Sequence, residues 1–249
     1  MVTITGSRRG AGPPLVLLHT LGTDHRMWDP VLDRLAVERE VLALDLPGFG
    51  GSPPVDGGSP AALAGAVGGW LAAEGLERPH VAGNSLGGWV ALELALAGRA
   101  ASVTAIAPAG LWPEPLMPKR GTARAVARAL LPVLDPLMRR PAARRIALGT
   151  NAAHPERIPA EDAQRLVRAY ATAPGFSAAN AAMRAGRFTA LDRIRVPTTL
   201  AWPEFDRLVA VPRTLPPGVR SVPLPGCGHL PTWDDPAAVA RVLLEGSAV

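Results

Sequence analysis

Three residue types stand in an order that suits nucleophilic attack on a carbonyl: Ser85, then Asp206, then His229. A serine hydroxyl is a poor nucleophile until a base takes its proton and a carboxylate orients that base. Ser85 lies in Gly83-Asn84-Ser85-Leu86-Gly87, after the apolar run His80–Asn84 and before a helical pattern carrying Leu86, Val90, Ala91, Leu94 and Ala95. A sharp strand-to-helix turn needs near-absent side chains two residues to either side, which Gly83 and Gly87 supply. The plainer reading of Ser85 is a helix cap; the strand before it and the helix after it favour the nucleophile. His229 sits in the glycine-rich stretch Gly226-Cys227-Gly228-His229, while His25, His80 and His154 occupy ordinary helix-start, strand-start and loop contexts. The acid should follow a strand lying between nucleophile and base. Trp202-Pro203-Glu204-Phe205-Asp206 offers two carboxylates, with Asp206 preferred and Glu204 second. Asp192 precedes that strand and reads as a surface or capping residue.

A tetrahedral intermediate also requires backbone donors. Leu86 N–H follows the nucleophile, and Leu21 N–H, in His19-Thr20-Leu21-Gly22, is the second candidate. His19 reads as a brace for that loop. Met27, Trp28, Trp112 and Trp233, with Leu111 and Leu116, are candidate pocket residues, although each type more often packs a core.

The elements that must carry these groups follow from periodicity. Leu15–His19, Val41–Asp45, His80–Asn84, Ser102–Ala107, Thr198–Trp202 and Arg220–Leu224 read as buried strands. Met27–Ala36, Ala61–Ala73, Leu86–Ala97 and Pro236–Leu244 carry helical spacing. Their alternation predicts an α/β fold with a mostly parallel sheet flanked by helices. Residues 112–190 lack a strand pattern, and helices are expected at Ala123–Leu131, Ala142–Leu148, Ala160–Thr172 and Ser177–Arg187. This predicts an all-helical cap over residues 112–190, on a core of residues 1–111 and 191–249.

The composition bounds the alternatives. The 249 residues, 48% of them hydrophobic, can bury a large core. Cys227 is the single cysteine, so no internal disulfide forms, and one thiol argues against a thiolate metal site. The net charge is +5, but basic and aromatic residues do not interleave as on a nucleic-acid platform. The N-terminal stretch does not match a secretory signal, and the apolar runs are too short to span a bilayer, so a cytoplasmic setting without membrane or nucleic-acid partners is expected. Lys119, Arg120, Arg124, Arg128, Arg139, Arg140, Arg144 and Arg145 crowd the first half of the cap. They read first as a solvated helix face and second as a steering field for an anionic substrate.

Taken together, these motifs resemble the α/β-hydrolase superfamily over nearly the whole chain. His19-Thr20-Leu21-Gly22 looks like its oxyanion loop, Asp45–Ser52 its turn after the next strand, and Gly83–Gly88 its nucleophile elbow. Trp202–Asp206 looks like the acid loop and Gly226–Pro236 the histidine loop. Thr20 and Pro203 stand where glycine is usual, and there is room for one strand rather than a hairpin before Leu15. The resemblance implies a Ser85-His229-Asp206 triad acting through an acyl-enzyme on a small-molecule ester or lactone, with no metal or organic cofactor. Carboxylesterase is the first expectation. Enol-lactone hydrolase is an alternative on Leu21–Pro30, and carbon–carbon bond hydrolase on Gly83–Gly88. A catalytically silent ligand-binding homologue is the non-enzymatic alternative. Haloalkane dehalogenases and epoxide hydrolases use a carboxylate nucleophile where this chain has Ser85. Epoxide hydrolases also use cap tyrosines, and Tyr170 is the only tyrosine here. Acyl and alcohol specificity and oligomeric state are not encoded in these patterns.

Overall fold

The computed structural model describes residues 2–117 and 121–248, so Lys119 and Arg120 lie outside the described residues. Seven strands form one sheet: β1 (Gly6–Arg9), β2 (Pro14–Leu18), β3 (Glu40–Leu44), β4 (His80–Asn84), β5 (Ser102–Ile106), β6 (Thr198–Pro203) and β7 (Val219–Leu224). Their spatial order is β1-β3-β2-β4-β5-β6-β7. Only the edge strand β1 runs antiparallel, pairing Gly6 with Leu44 and Arg9 with Val41. All six strands expected from the sequence are present, but β7 is not buried as expected: it is the edge strand, and of its residues only Leu224 is buried.

Period-two alternation divides the sheet between two apolar layers. Val16, Leu18, Val81, Val103 and Leu200 point to one side, under α2 (Pro60–Ala73) and α3 (Leu86–Leu96). Leu15, Leu17, Ala82, Ile106 and Ala201 point to the other, under α1 (Asp29–Leu35) and a C-terminal helix at Pro236–Gly246. Strand order reverses direction between β2 and β4. In open α/β sheets such a switch opens a crevice at the carboxyl ends of the strands, where the loops bearing His19 and Ser85 emerge.

Between β5 and β6 the chain is helical: α4 (Thr122–Ala129), α5 (Leu134–Met138), α6 (Pro141–Leu148), α7 (Ala160–Thr172) and α8 (Phe176–Ala185). The short α5 was not expected, because Pro136 interrupts its pattern. Two further helices follow β7, α9 (Pro231–Asp234) and α10 (Pro236–Gly246). The arginines of the helical segment are not simply a solvated face. Arg124 donates to the carbonyls of Tyr170 and Ala173, and Arg128 to that of Ala171, so both satisfy the open carboxyl end of α7. Arg144 is buried and donates to the carbonyls of Met138 and Glu156. Arg145 pairs with Glu156 across 3.3 Å, whereas Arg139 and Arg140 are exposed. Among the described residues no helix is long and apolar enough to cross a membrane.

Candidate active site

The site is assembled from loops at the carboxyl ends of β2, β4, β6 and β7. After β4 the chain turns abruptly: Ser85 has φ 55° and ψ −112°, a left-handed conformation that costs a non-glycine residue free energy. Backbone bonds hold it there. Ser85 N–H donates to Ile106 O at 2.9 Å, and Ser85 O accepts from Trp89 N–H and Ala109 N–H at 3.0 Å each. The flanking glycines are required by contact. A Cβ on Gly83 would lie 2.2 Å from the Gly87 carbonyl, and one on Gly87 would lie 2.1 Å from the Leu18 carbonyl oxygen. The turn thus presents the hydroxyl at the first turn of α3, where Leu86 N–H is one of the helix's unpaired donors.

Two loops bring a histidine and a carboxylate together. His229 Nδ1 donates to Asp206 Oδ2 at 2.7 Å, and both side chains are only 3% exposed. The other Asp206 oxygen accepts from Leu208 N–H at 2.7 Å and Val209 N–H at 3.0 Å. Burial pushes the Asp206 carboxyl up, but the hydrogen bond and electrostatic attraction of His229 and the two N–H donors outweigh burial. The carboxyl therefore lies below its ordinary range and stays ionised. Nδ1 being engaged, Nε2 is the ring nitrogen left to exchange a proton with a hydroxyl. Glu204 does a different job, accepting from Gly226 N–H at 2.8 Å. Phe205 N–H reaches Cys227 O at 2.8 Å, so backbone bonds tie the carboxylate loop to the histidine loop. Cys227 is buried, and burial together with the Asp234 and Asp235 charges pushes its thiol up to about 12, leaving it protonated.

The loop after β2 is braced by His19. Its Nδ1–H donates to Thr20 O at 2.8 Å, and its Nε2 accepts from Leu46 N–H at 2.9 Å. Burial pushes the ring's pKa down, in keeping with a neutral imidazole that donates at one nitrogen and accepts at the other. Thr20 is itself held on both sides. Its carbonyl also accepts from Thr23 Oγ1 at 3.0 Å, its N–H meets Met27 Sδ at 3.3 Å, and Gly22 takes the positive φ of 79°. Leu21 lies between these two anchored residues.

The expected pocket residues separate. Trp28 is fully buried among the apolar residues beneath α1 and forms core, and Met27 packs beside it under Thr20. Trp233 borders a small cavity with Asp24, Arg26, Met27, Asp162 and Arg165, the size of about one water. Trp112 sits edge-on to Trp89 and donates to Gly186 O at 3.0 Å. With Leu111 it lines a groove of about 560 Å3 that also includes Phe188, Leu191, Leu215 and Pro216.

Sequence reasoning missed a cluster of Asp24, His25 and Asp45, whose ligand-type atoms lie within 4.8 Å of one another. Its donors and acceptors are spent on the fold. Asp45 accepts from His25 N–H, His25 Nδ1, Thr5 Oγ1 and Gly51 N–H, and Asp24 from Arg26. Burial would raise Asp45, but these bonds hold it far below the ordinary carboxylate range, while the bond to Asp45 raises His25 against partial burial.

A family model described as alpha/beta hydrolase family matches residues 15–242. Epoxide hydrolase EphH of Mycobacterium tuberculosis is 32% identical over 184 residues, spanning 68% of this chain and 86% of that protein. A pimeloyl-[acyl-carrier protein] methyl ester esterase of Aeromonas hydrophila is 41% identical over 102 residues, 38% of this chain and 37% of that one. Among solved structures, a thermophilic esterase from Thermogutta terrifontis superposes with a TM-score of 0.74 at 25% identity, over 98% of this chain and 92% of that chain. With its sheet order, its strand-to-helix serine turn and this match over most of its length, the chain belongs to the alpha/beta hydrolase family.

Proposed function

We propose that this chain is a serine hydrolase that cleaves a carboxylic ester of a small or medium-sized substrate. The observation that carries the reading is the buried 2.7 Å bond between His229 Nδ1 and Asp206, on loops that share one sheet edge with Ser85. In this reading Ser85 Oγ attacks the ester carbonyl carbon while His229 Nε2 accepts the hydroxyl proton. Asp206 stabilises the imidazolium, and Leu86 N–H and Leu21 N–H donate to the oxyanion. Collapse of the tetrahedral species expels the alcohol, which takes the proton from His229. Water, deprotonated by His229, then attacks the acyl-Ser85 ester and releases the acid. None of these steps needs a metal or organic cofactor. Residues 112–190 act as a cap over the site, and a cytoplasmic setting belongs to the same reading.

The similarity to EphH favours a second reading, in which the substrate is an epoxide. Against it, attack on an epoxide in this family comes from a carboxylate, and Ser85 occupies that position. The single tyrosine, Tyr170, is packed edge-on against Phe176 with ring centroids 5.1 Å apart. The esterase reading is also supported by the methyl ester esterase relative.

A fluorophosphonate probe, with mass spectrometry to locate the adduct, tests the proposal directly. Ser85 should be labelled, and Ser85→Ala or His229→Ala should abolish both labelling and p-nitrophenyl ester turnover. Asp206→Asn should lower kcat about 10⁴-fold, as in other triads, while Glu204→Gln should have little effect. A panel of esters, lactones, vinylogous diketones and epoxides then selects the substrate class. Folded protein that leaves Ser85 unlabelled overturns the serine mechanism.

A further inference from the structure

The residues on both sides of His229 are tied to one turn of the helical segment. Leu230 N–H donates to Asn151 O at 2.6 Å. Gly228 N–H donates at 2.8 Å to Asp234 Oδ2, and the same oxygen accepts from Ala153 N–H at 2.9 Å. The other oxygen, Oδ1, accepts from His154 N–H at 2.9 Å. Asp234 therefore bridges the histidine loop and residues 153–154 with three charge-assisted bonds. The contact is tight as well as polar. A Cβ on Gly228 would lie 2.6 Å from the Ala153 nitrogen and 2.8 Å from the Ala152 carbonyl carbon. Asp235, its neighbour, merely caps α10 through Ala238 N–H.

This arrangement answers a mechanical problem. The loop from Gly226 to His229 has two glycines and little intrinsic stiffness, so it cannot by itself hold an imidazole to within the roughly 0.5 Å that proton transfer demands. The restraint must come from outside the loop. We propose that Asp234 is a positioning residue that sets the His229 imidazole against Asp206 through the turn at residues 151–154. The helical segment and the histidine then form one unit, and undocking that turn withdraws the ring. The proposal rests on the reading of His229 as the base.

The test uses Asp234→Asn, which keeps the shape but removes the charge and replaces one acceptor with a donor, and Asp234→Glu, which restores the charge. Asp234→Asn should lower kcat for p-nitrophenyl acetate about 10- to 100-fold, the scale of a displacement near 1 Å, with KM changed less than about threefold. Asp234→Glu should recover part of the loss. In proton NMR the low-field Nδ1 proton of His229 should shift or vanish in Asp234→Asn and return in Asp234→Glu. Gly228→Ala, which pushes the same turn away without touching the carboxylate, should behave like Asp234→Asn and stands in for it if that variant does not fold. Folded Asp234→Asn with wild-type kcat and an unchanged His229 signal overturns the proposal. Should wild-type protein neither label at Ser85 nor turn over any substrate, the hydrolase reading fails, and the NMR comparison still decides the positioning role.

Discussion

On β2, Leu15, Val16, Leu17 and Leu18 are all buried, alternately under α1 with α10 and under α2 with α3. On α4 no residue is buried, and the helix is held instead by Arg124 and Arg128 reaching the last carbonyls of α7. One region is stabilised by apolar area removed from water, the other in large part by guanidinium-to-carbonyl bonds at its surface. Area burial is non-directional and distributed over many neighbours, so it fixes a scaffold. A few directed bonds fix a local arrangement that can be released without dismantling the rest. Ser85 and the sheet belong to the first region, and α4 with the end of α7 to the second.

Paired truncations break this comparison most directly. Leu17→Ala should cost about 3 kcal/mol of global stability, the usual cost of a large cavity in a packed core, measured by urea unfolding. Arg124→Ala should cost about 1 kcal/mol and act locally. Hydrogen exchange should quicken in α4 and at the end of α7 while the urea midpoint moves little. Equal global losses in the two variants would mean that the helical segment unfolds together with the sheet.

A smaller effect sharpens the same contrast at the rim of the sheet, where His25 and Asp45 join two loops by an ionic bond. The His25 pKa is raised in the folded chain, chiefly by its hydrogen bond to Asp45. That contribution is therefore complete below the ordinary histidine value and fades as pH rises through the folded one. The melting-temperature advantage of wild type over His25→Asn should be greater near about pH 5.5 than near about pH 9. A constant difference would assign the pair's contribution to geometry alone.

The sheet was legible because five of its strands are short, mostly apolar runs with few other ways to bury themselves, and β7 showed through the spacing of Val219, Val222 and Leu224. β1, with the sequence Gly-Ser-Arg-Arg, carries no such signal, since an antiparallel edge strand can be polar on both faces. The order of Ser85, Asp206 and His229 was readable, yet Asp206 and Glu204 differ only in how the chain turns after Pro203, which no periodicity records. The helices of residues 112–190 showed in their spacing, apart from the proline-bearing α5. What their arginines hold did not show, because a backbone carbonyl acceptor leaves no trace in the sequence. Asp234 was hidden for a related reason. Beside Asp235 and Pro236 it looks like a second helix-capping residue, while its bonds run to a turn about 80 positions earlier in the chain.

The left-handed backbone at Ser85 has a consequence for how this protein would evolve or be engineered. A non-glycine residue held at φ 55° is one whose conformation the rest of the fold subsidises. Glycine would relax that conformation, so Ser85→Gly should melt higher than Ser85→Ala while being equally inert. With Ser85 as the proposed nucleophile, selection for thermal tolerance alone would drift toward a sturdier and silent protein, and keeping the serine at this corner would require selection on turnover itself.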